Sequence, residues 1–171
     1  KFELYSKAFQ EFGYEPLPEY VEPPESPIST PDLYADYPLV FTSGSRMPIY
    51  THSELRQIQW MREIRNHPEL EIHPETAKDL GIEDGEWVYA ETQRGRALHR
   101  ARYSLVVDPR VVHGEHGWWY PEELGEGADI DHLTRMNINN TVPGFTFGKQ
   151  GYASPYRSSL CRVYPAKKEA M

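Results

Sequence analysis

A single cysteine, Cys161, serves all 171 residues. The chain therefore cannot close an internal disulfide. It also has no cysteine cluster for zinc or an iron–sulfur group. Basic residues are outnumbered, with 18 Lys and Arg against 26 Asp and Glu, a formal net charge of −8. That balance argues against a nucleic-acid partner. It leaves room for a local basic pocket, because Arg46, Arg56, Arg62 and Arg65 fall close together. No apolar run approaches the ~18 residues a membrane span needs, so no membrane contact is expected from this segment. No signal peptide is visible, and the first residue is Lys1. The chain is expected to be an excised piece of a longer protein, whose compartment it does not reveal. It has no internal repeat.

Aromatics, proline and glycine are plentiful. Aromatic residues make up 13%, with 15 prolines and 12 glycines. That mixture suits a loop-rich β fold. The length suits one domain able to bury roughly 70% of its unfolded surface.

The clearest local signal runs from Leu70 to Trp119. Glu71-Ile72 reads as a short strand. Pro74 suits a first helical position, where its missing N–H is no loss. Gly81 suits the left-handed position that ends a helix. Asp84-Gly85 is turn chemistry before a Trp/Val/Tyr strand. Gln93-Arg94-Gly95 predicts a hairpin loop, and Arg96 to Val107 a long returning strand. Asp108-Pro109 ends it, and Val111-Val112-His113 begins another. Pattern alone gives a small mixed β domain.

On either side, Lys1 to Ser6 alternates like a strand, and Ser6 can cap a short helix over Lys7 to Phe12 that ends at Gly13. Residues 16–38 hold seven of the 15 prolines. That density predicts an extended strap without helix, with Tyr20, Ile28, Leu33, Tyr34 and Tyr37 as surface to bury. Leu39-Val40-Phe41 reads as a buried strand. Ser53 is placed to cap a helix over Glu54 to Arg65, stopped by Asn66-His67-Pro68. Residues 122–131 form an acidic, Gly-rich loop. Leu160 to Tyr164 is a closing strand with Cys161 as a core residue, and Lys167 to Met171 a polar tail. The strap, 1–38, thus precedes a barrel region, 39–171.

Four places carry candidate binding chemistry. Thr42-Ser43-Gly44-Ser45-Arg46 offers hydroxyls, backbone N–H groups, a glycine that lets an anion approach, and a cation for it. His52-Ser53, with Arg56 and Gln57 one turn on, offers mixed donors and acceptors. Asn137, Asn139 and Asn140 offer side-chain amides able to pair with a heteroaromatic edge. Arg157 stands just before the closing strand. His113-x-x-His116 invites a metal, but no third ligand follows at a convincing spacing.

The order His73-Pro74-Glu75-Thr76-Ala77, Leu80-Gly81-Ile82-Glu83-Asp84-Gly85-Glu86-Trp87-Val88, then Arg94-Gly95, resembles the C-terminal domain of molybdopterin oxidoreductases of the dimethyl sulfoxide reductase family. Lys1-Phe2-Glu3-Leu4-Tyr5-Ser6 is similar to the approach to that domain. The resemblance implies a mainly β fold with short helices, a double-psi β-barrel of the aspartate decarboxylase-like kind. It implies a domain that helps hold a molybdopterin guanine dinucleotide. The loop Thr42, Ser43, Gly44, Arg46 is similar to a Thr-x-Gly-Arg loop at the pterin–pyrophosphate part, with Ser45 intervening here. His52-Ser53 matches a His-Ser pair that suits a pterin edge. Asn137 and Asn139 match an Asn-x-Asn run, with Asn140 where relatives usually have Leu. His116-Gly117-Trp118-Trp119 resembles a segment that packs against other domains in some members.

For the intact enzyme the resemblance implies molybdenum or tungsten held by two such dinucleotides, with the metal ligand and iron–sulfur clusters in other domains. Expected partners are those domains and an iron–sulfur electron-transfer subunit. No residue of this segment is expected to be catalytic. The isolated fragment is expected to be inactive and to carry no cofactor. The alternative is a non-catalytic protein- or ligand-recognition double-psi barrel module. A decarboxylase relative would need self-cleavage at Gly44-Ser45, and a zinc hydrolase would rest on the histidines.

Overall fold

The computed structural model describes residues 4–17, 19–50, 52–123, 129, 134–144 and 157–166. Its frame is six strands: β1 (Leu39–Ser45), β2 (Glu69–Ile72), β3 (Trp87–Thr92), β4 (Gly95–Tyr103), β5 (Val111–Glu115) and β6 (Ser159–Pro165). They close into a barrel in the order β1-β5-β2-β4-β3-β6. The β1/β5 and β2/β4 seams are parallel, and the others antiparallel. The expected mainly β fold, a double-psi barrel, is thus the fold adopted. Closure leaves no unpaired edge among the described strands.

Alternation builds the core. In β1, Leu39, Phe41 and Ser43 are buried, while Val40 and Thr42 are half-buried on the outer face. Phe41, Leu70, Ile72, Val88, Val112 and Cys161 meet inside. Cys161 is fully buried, as expected of a core residue, and burial pushes its thiol well up.

Four short helices decorate the barrel: α1 (Lys7–Glu11), α2 (Pro31–Asp36), α3 (Gln59–Ile64) and α4 (Pro74–Asp79). Ser6 caps α1, its hydroxyl accepting from the Phe9 N–H at 3.2 Å. Pro74 opens α4, and Gly81 follows it at φ 67°. Both helices lie where the sequence predicts them.

Several expectations are corrected. Leu4 to Ser6 form no strand. The proline-rich strap contains a helix, α2, because Pro31 sits at its first position, where no N–H is needed, and Asp32 to Asp36 contain no proline. Glu25 anchors that strap by an ion pair with Arg94 and by accepting from Gln93 Nε2 at 2.9 Å. The helix expected over Glu54 to Arg65 shrinks to α3, with Ile58 rather than Ser53 at its cap. Leu55, at φ 67°, breaks helical geometry ahead of it. The segment Thr42 to Ser45 is strand, with a register shift between Ser43 and Ser45 against β5. The hairpin turn is Gln93-Arg94 alone, since Gly95 pairs with Thr92. The long strand stops at Tyr103, and Leu105 and Val106 are exposed in the turn beyond. The acidic loop from 124, the segment 145–156 and the tail from 167 lie outside the described residues apart from Asp129.

Candidate functional site

A cleft of about 610 Å³ opens beside the barrel, lined by His52, Ser53, His116, Gly117, Trp118, Trp119, Thr134, Asn137 and Asn139. Three segments build it: the excursion after β1, the segment after β5, and the stretch holding the 3₁₀ turn Ile138–Asn140. The parallel β1/β5 seam explains the first two, because both strands leave the barrel at the same end.

Arg56 sews those two segments together. It is 2% exposed. Its Nε donates to the Gly117 carbonyl at 2.7 Å, and its Nη2 to the His52 carbonyl at 2.9 Å and the His116 carbonyl at 3.3 Å. The guanidinium lies 4.3 Å from the Tyr50 ring centre and 4.0 Å from that of Trp118. Burial lowers its pKa to about 10. Its Nη1 is buried without a hydrogen-bond partner among the described residues. Expected as a ligand contact, Arg56 lies beneath the cleft wall with its other nitrogens on backbone. Gln57 beside it is exposed.

Gly117 makes the close approach possible. It has φ 76°, and a Cβ there would lie 2.4 Å from the His52 carbonyl oxygen. Trp119 Nε1 donates to the Ser53 carbonyl at 2.7 Å, closing the same seam.

Two imidazoles meet at the cleft wall. His116 Nδ1 lies 3.1 Å from the Ser45 carbonyl, and its Nε2 lies 3.3 Å from His52 Nδ1. Burial holds the His116 pKa below the ordinary imidazole value, the Ser45 carbonyl opposes this, and Arg46, His52 and Arg56 add to the lowering. His113 is also lowered, by burial and then by Arg157, with Glu115 opposing. Its Nδ1 faces Glu71 at 3.8 Å, so His113 and His116 look to different neighbours. No group of three His, Cys, Asp or Glu residues able to hold a metal occurs among the described residues.

The asparagines divide. Asn137 Oδ1 accepts from the Asn139 N–H at 3.0 Å, capping the 3₁₀ turn. Asn140 Nδ2 donates to the Thr134 carbonyl at 2.9 Å. The exposed Asn139 lines the cleft with a side chain that has no partner among the described residues.

Beside the cleft, Arg157 covers Gly44. A Cβ on Gly44, whose φ is 104°, would meet the guanidinium at 3.7 Å, ordinary contact. Thr42 pairs with His113 in the parallel seam, on the half-buried outer face, while Ser43 points inward. Arg46 and Arg157 are exposed and have no ion-pair partner among the described residues. A second hollow, of about 310 Å³, holds Arg65, Arg100 and Arg102. There Arg65 and Arg102 pair with Glu69, and the Arg100 Nε donates to the Gly85 carbonyl at 2.8 Å. The cations of that hollow are thus engaged within the protein.

Sequence reasoning thus names His52, Ser53, Asn137 and Asn139 on one cleft, and Gly44 and Arg157 in contact beside it. It does not foresee His116 and the two tryptophans as that cleft's wall, although a glycine between His116 and Trp118 is a signal of close backbone approach.

Residues 39–150 match the Molydopterin dinucleotide binding domain family, well over half the chain. The dopamine dehydroxylase of Eggerthella lenta is 37% identical over 155 residues, covering 90% of this chain and 15% of that protein. A putative dimethyl sulfoxide reductase catalytic subunit of Halobacterium salinarum is 38% identical over 103 residues, covering 59% and 12%. The solved acetylene hydratase from Pelobacter acetylenicus superposes with a TM-score of 0.85 at 30% identity, over 97% of this chain and 23% of that one. The chain spans less than a quarter of each.

Proposed function

We propose a function from one premise: the chain belongs to the Molydopterin dinucleotide binding domain family, in the form found in the dimethyl sulfoxide reductase family. It is the dinucleotide-binding domain of a molybdenum or tungsten oxidoreductase, and it positions the pterin dinucleotide rather than performing the redox step. The observation that carries the assignment of individual residues is a division of chemistry. Arg157 lies over Gly44 and Arg46 follows two residues on, both guanidiniums without an ion-pair partner among the described residues, and the cleft that holds His52 and Asn139 also holds His116, which the Ser45 carbonyl ties to the same strand.

That division fits a pyrophosphate-linked heteroaromatic. Arg46 and Arg157 would hold the pyrophosphate by charge-assisted hydrogen bonds, with Gly44 admitting it close to the backbone. His52, Ser53 and Asn139 would meet the ring edge with donors and acceptors. The cleft volume lies within the usual range for cofactor sites. Thr42, Asn137 and Asn140 would act by supporting these groups, since Asn137 and Asn140 spend side-chain atoms on the loop itself. Arg56 would hold the cleft wall in place. When bound, the cofactor supplies a metal that cycles by two electrons. This chain's part is to bind and orient it, and to keep water off its buried face. The parent enzyme contributes the metal ligand and an iron–sulfur relay, and this segment alone is inactive.

Titration of the chain with guanosine diphosphate and, separately, with a reduced pterin tests the reading. Trp118 and Trp119 fluorescence reports the cleft. Each ligand is expected to bind, and Arg46→Ala and Arg157→Ala each to weaken the diphosphate about tenfold. Absence of binding by either ligand at millimolar concentration would overturn the assignment and favour a recognition module instead.

A further inference from the structure

We propose that His116 is a positioning residue that fixes the tautomer of His52, so that His52 presents an unprotonated Nε2 as a hydrogen-bond acceptor to the cofactor. The inference rests on the cofactor reading above and goes further, because it names the kind of ligand atom His52 meets.

Ser45 supplies a backbone carbonyl beside the His116 ring. This carbonyl can only accept, and it lies 3.1 Å from His116 Nδ1. It also receives the His116 backbone N–H at 3.4 Å, so the ring and its own backbone are both tied to one oxygen. His116 Nδ1 therefore carries a proton. A neutral imidazole with Nδ1–H has a lone pair on Nε2. Partial burial, helped by the nearby Arg46 and Arg56 and opposed by the Ser45 carbonyl, disfavours a second proton on His116. Its Nε2 is an acceptor, and the group 3.3 Å away is His52 Nδ1. His52 Nδ1 must then donate, and whenever the His52 ring is neutral this leaves the lone pair on its Nε2. No described residue bonds that Nε2.

The backbone agrees with a held ring. His52 takes φ 52°, a sparsely populated region for a residue with a side chain. Arg56 clamps the His52 carbonyl and Gly117 lies against it, so the ring cannot turn away cheaply. The rings meet edge to face, with centres 5.4 Å apart.

The consequence is chemical selectivity. An acceptor at His52 Nε2 pairs with an N–H of the ligand, such as the exocyclic amino group or a ring N–H of a pterin or guanine. It repels a phosphate oxygen. Arg46 and Arg157 remain for the anion, and His52 reads the heterocycle.

Long-range proton–nitrogen NMR of the ¹⁵N-labelled chain, at a pH where both imidazoles are neutral, reads each tautomer directly. His52 is expected as the Nδ1–H form. In His116→Phe, which keeps a ring and removes the acceptor, His52 should revert towards the Nε2–H form that an unconstrained imidazole favours in water. The same variant should bind a 2-amino-4-oxopteridine about tenfold more weakly while inorganic pyrophosphate binds as before. A wild-type His52 carrying its proton on Nε2 would overturn the proposal without any variant being made. So would an Nδ1–H His52 that survives in His116→Phe. The expected tautomers without pteridine binding would leave the control of His52 by His116 standing and refute the cofactor reading alone.

Discussion

Gly117→Ala perturbs a close backbone approach in the cleft wall. At φ 76° the added Cβ would lie 2.4 Å from the His52 carbonyl oxygen, 2.6 Å from its carbon and 3.1 Å from the Ser53 nitrogen. All three are backbone atoms, so no side chain can swing aside. A residue with Cβ in the left-handed region costs about 1–2 kcal/mol before any contact is counted. Ordinary contact begins near 3.4 Å, so the two segments must part by about 1 Å. Arg56 spans that gap, with Nε on the Gly117 carbonyl and Nη2 on the His52 carbonyl. Parting them breaks at least one hydrogen bond from a charged group, about 1.5–3 kcal/mol. The expected loss is about 2.5–5 kcal/mol, a large share of the roughly 5–15 kcal/mol typical of a domain. Urea unfolding followed by tryptophan fluorescence reads it, as a fall in the midpoint of roughly 1–2 M at an ordinary slope. Gly144→Ala is the control. Among the described residues no atom lies within 4 Å of a Cβ there, and its φ is outside the left-handed region, so a change within about 0.5 kcal/mol is expected. A Gly117→Ala chain as stable as this control would refute the claim that the segments are pinned by a close approach.

Other expectations concern the strap, the asparagines and the thiol. Burial pushes the Glu25 carboxyl up, but hydrogen bonds from Arg94 and Gln93 outweigh it and hold the pKa below the ordinary value. A folded pKa below the unfolded one means this anchor is fully present above the unfolded value, 4.5, and is lost as pH falls through the folded value. Amide-exchange protection of Ser26 to Thr30 should therefore drop in acid, and Glu25→Gln should weaken it at neutral pH. Asn140→Ala should cost about 1 kcal/mol in urea unfolding through the lost bond to Thr134, whereas Asn139→Ala should leave stability alone and weaken pteridine binding several-fold. Cys161 should resist a thiol reagent in the native chain and react only on unfolding, because burial raises its pKa and hides its sulfur.

Local chemistry made much of the barrel legible. Pro74 opening α4, Gly81 closing it, and the Asp84-Gly85 turn all act within a few residues, and each stands where the sequence puts it. The strap was harder, because proline density says nothing of the gap after Pro31 where α2 forms. The helix expected from Ser53 failed for a tertiary reason. Apolar residues keep helical spacing from Leu55 through Ile58 and Met61 to Ile64, but Arg56 must turn inward to its carbonyls, and Leu55 leaves helical geometry to allow it. Periodicity cannot register a demand made by residues 61 positions away.

The same distance explains why several residues of the cleft could be named singly while its wall could not. Two strands that run parallel and side by side must leave a barrel at the same end. β1 and β5 do so, and the segments that follow them carry His52 and His116. β6 runs antiparallel to β1, so the chain enters it from that end, and Arg157 arrives over Gly44. The cleft is therefore a property of strand order. Each contributing stretch has the composition of an ordinary loop, and only the closed order β1-β5-β2-β4-β3-β6 makes neighbours of them. This ordering also separates the two chemistries. At the bulge between Ser43 and Ser45, Gly44 meets Arg157 and the Ser45 carbonyl meets His116. One residue's advance along β1 thus separates the contact with Arg157 from the contact with His116.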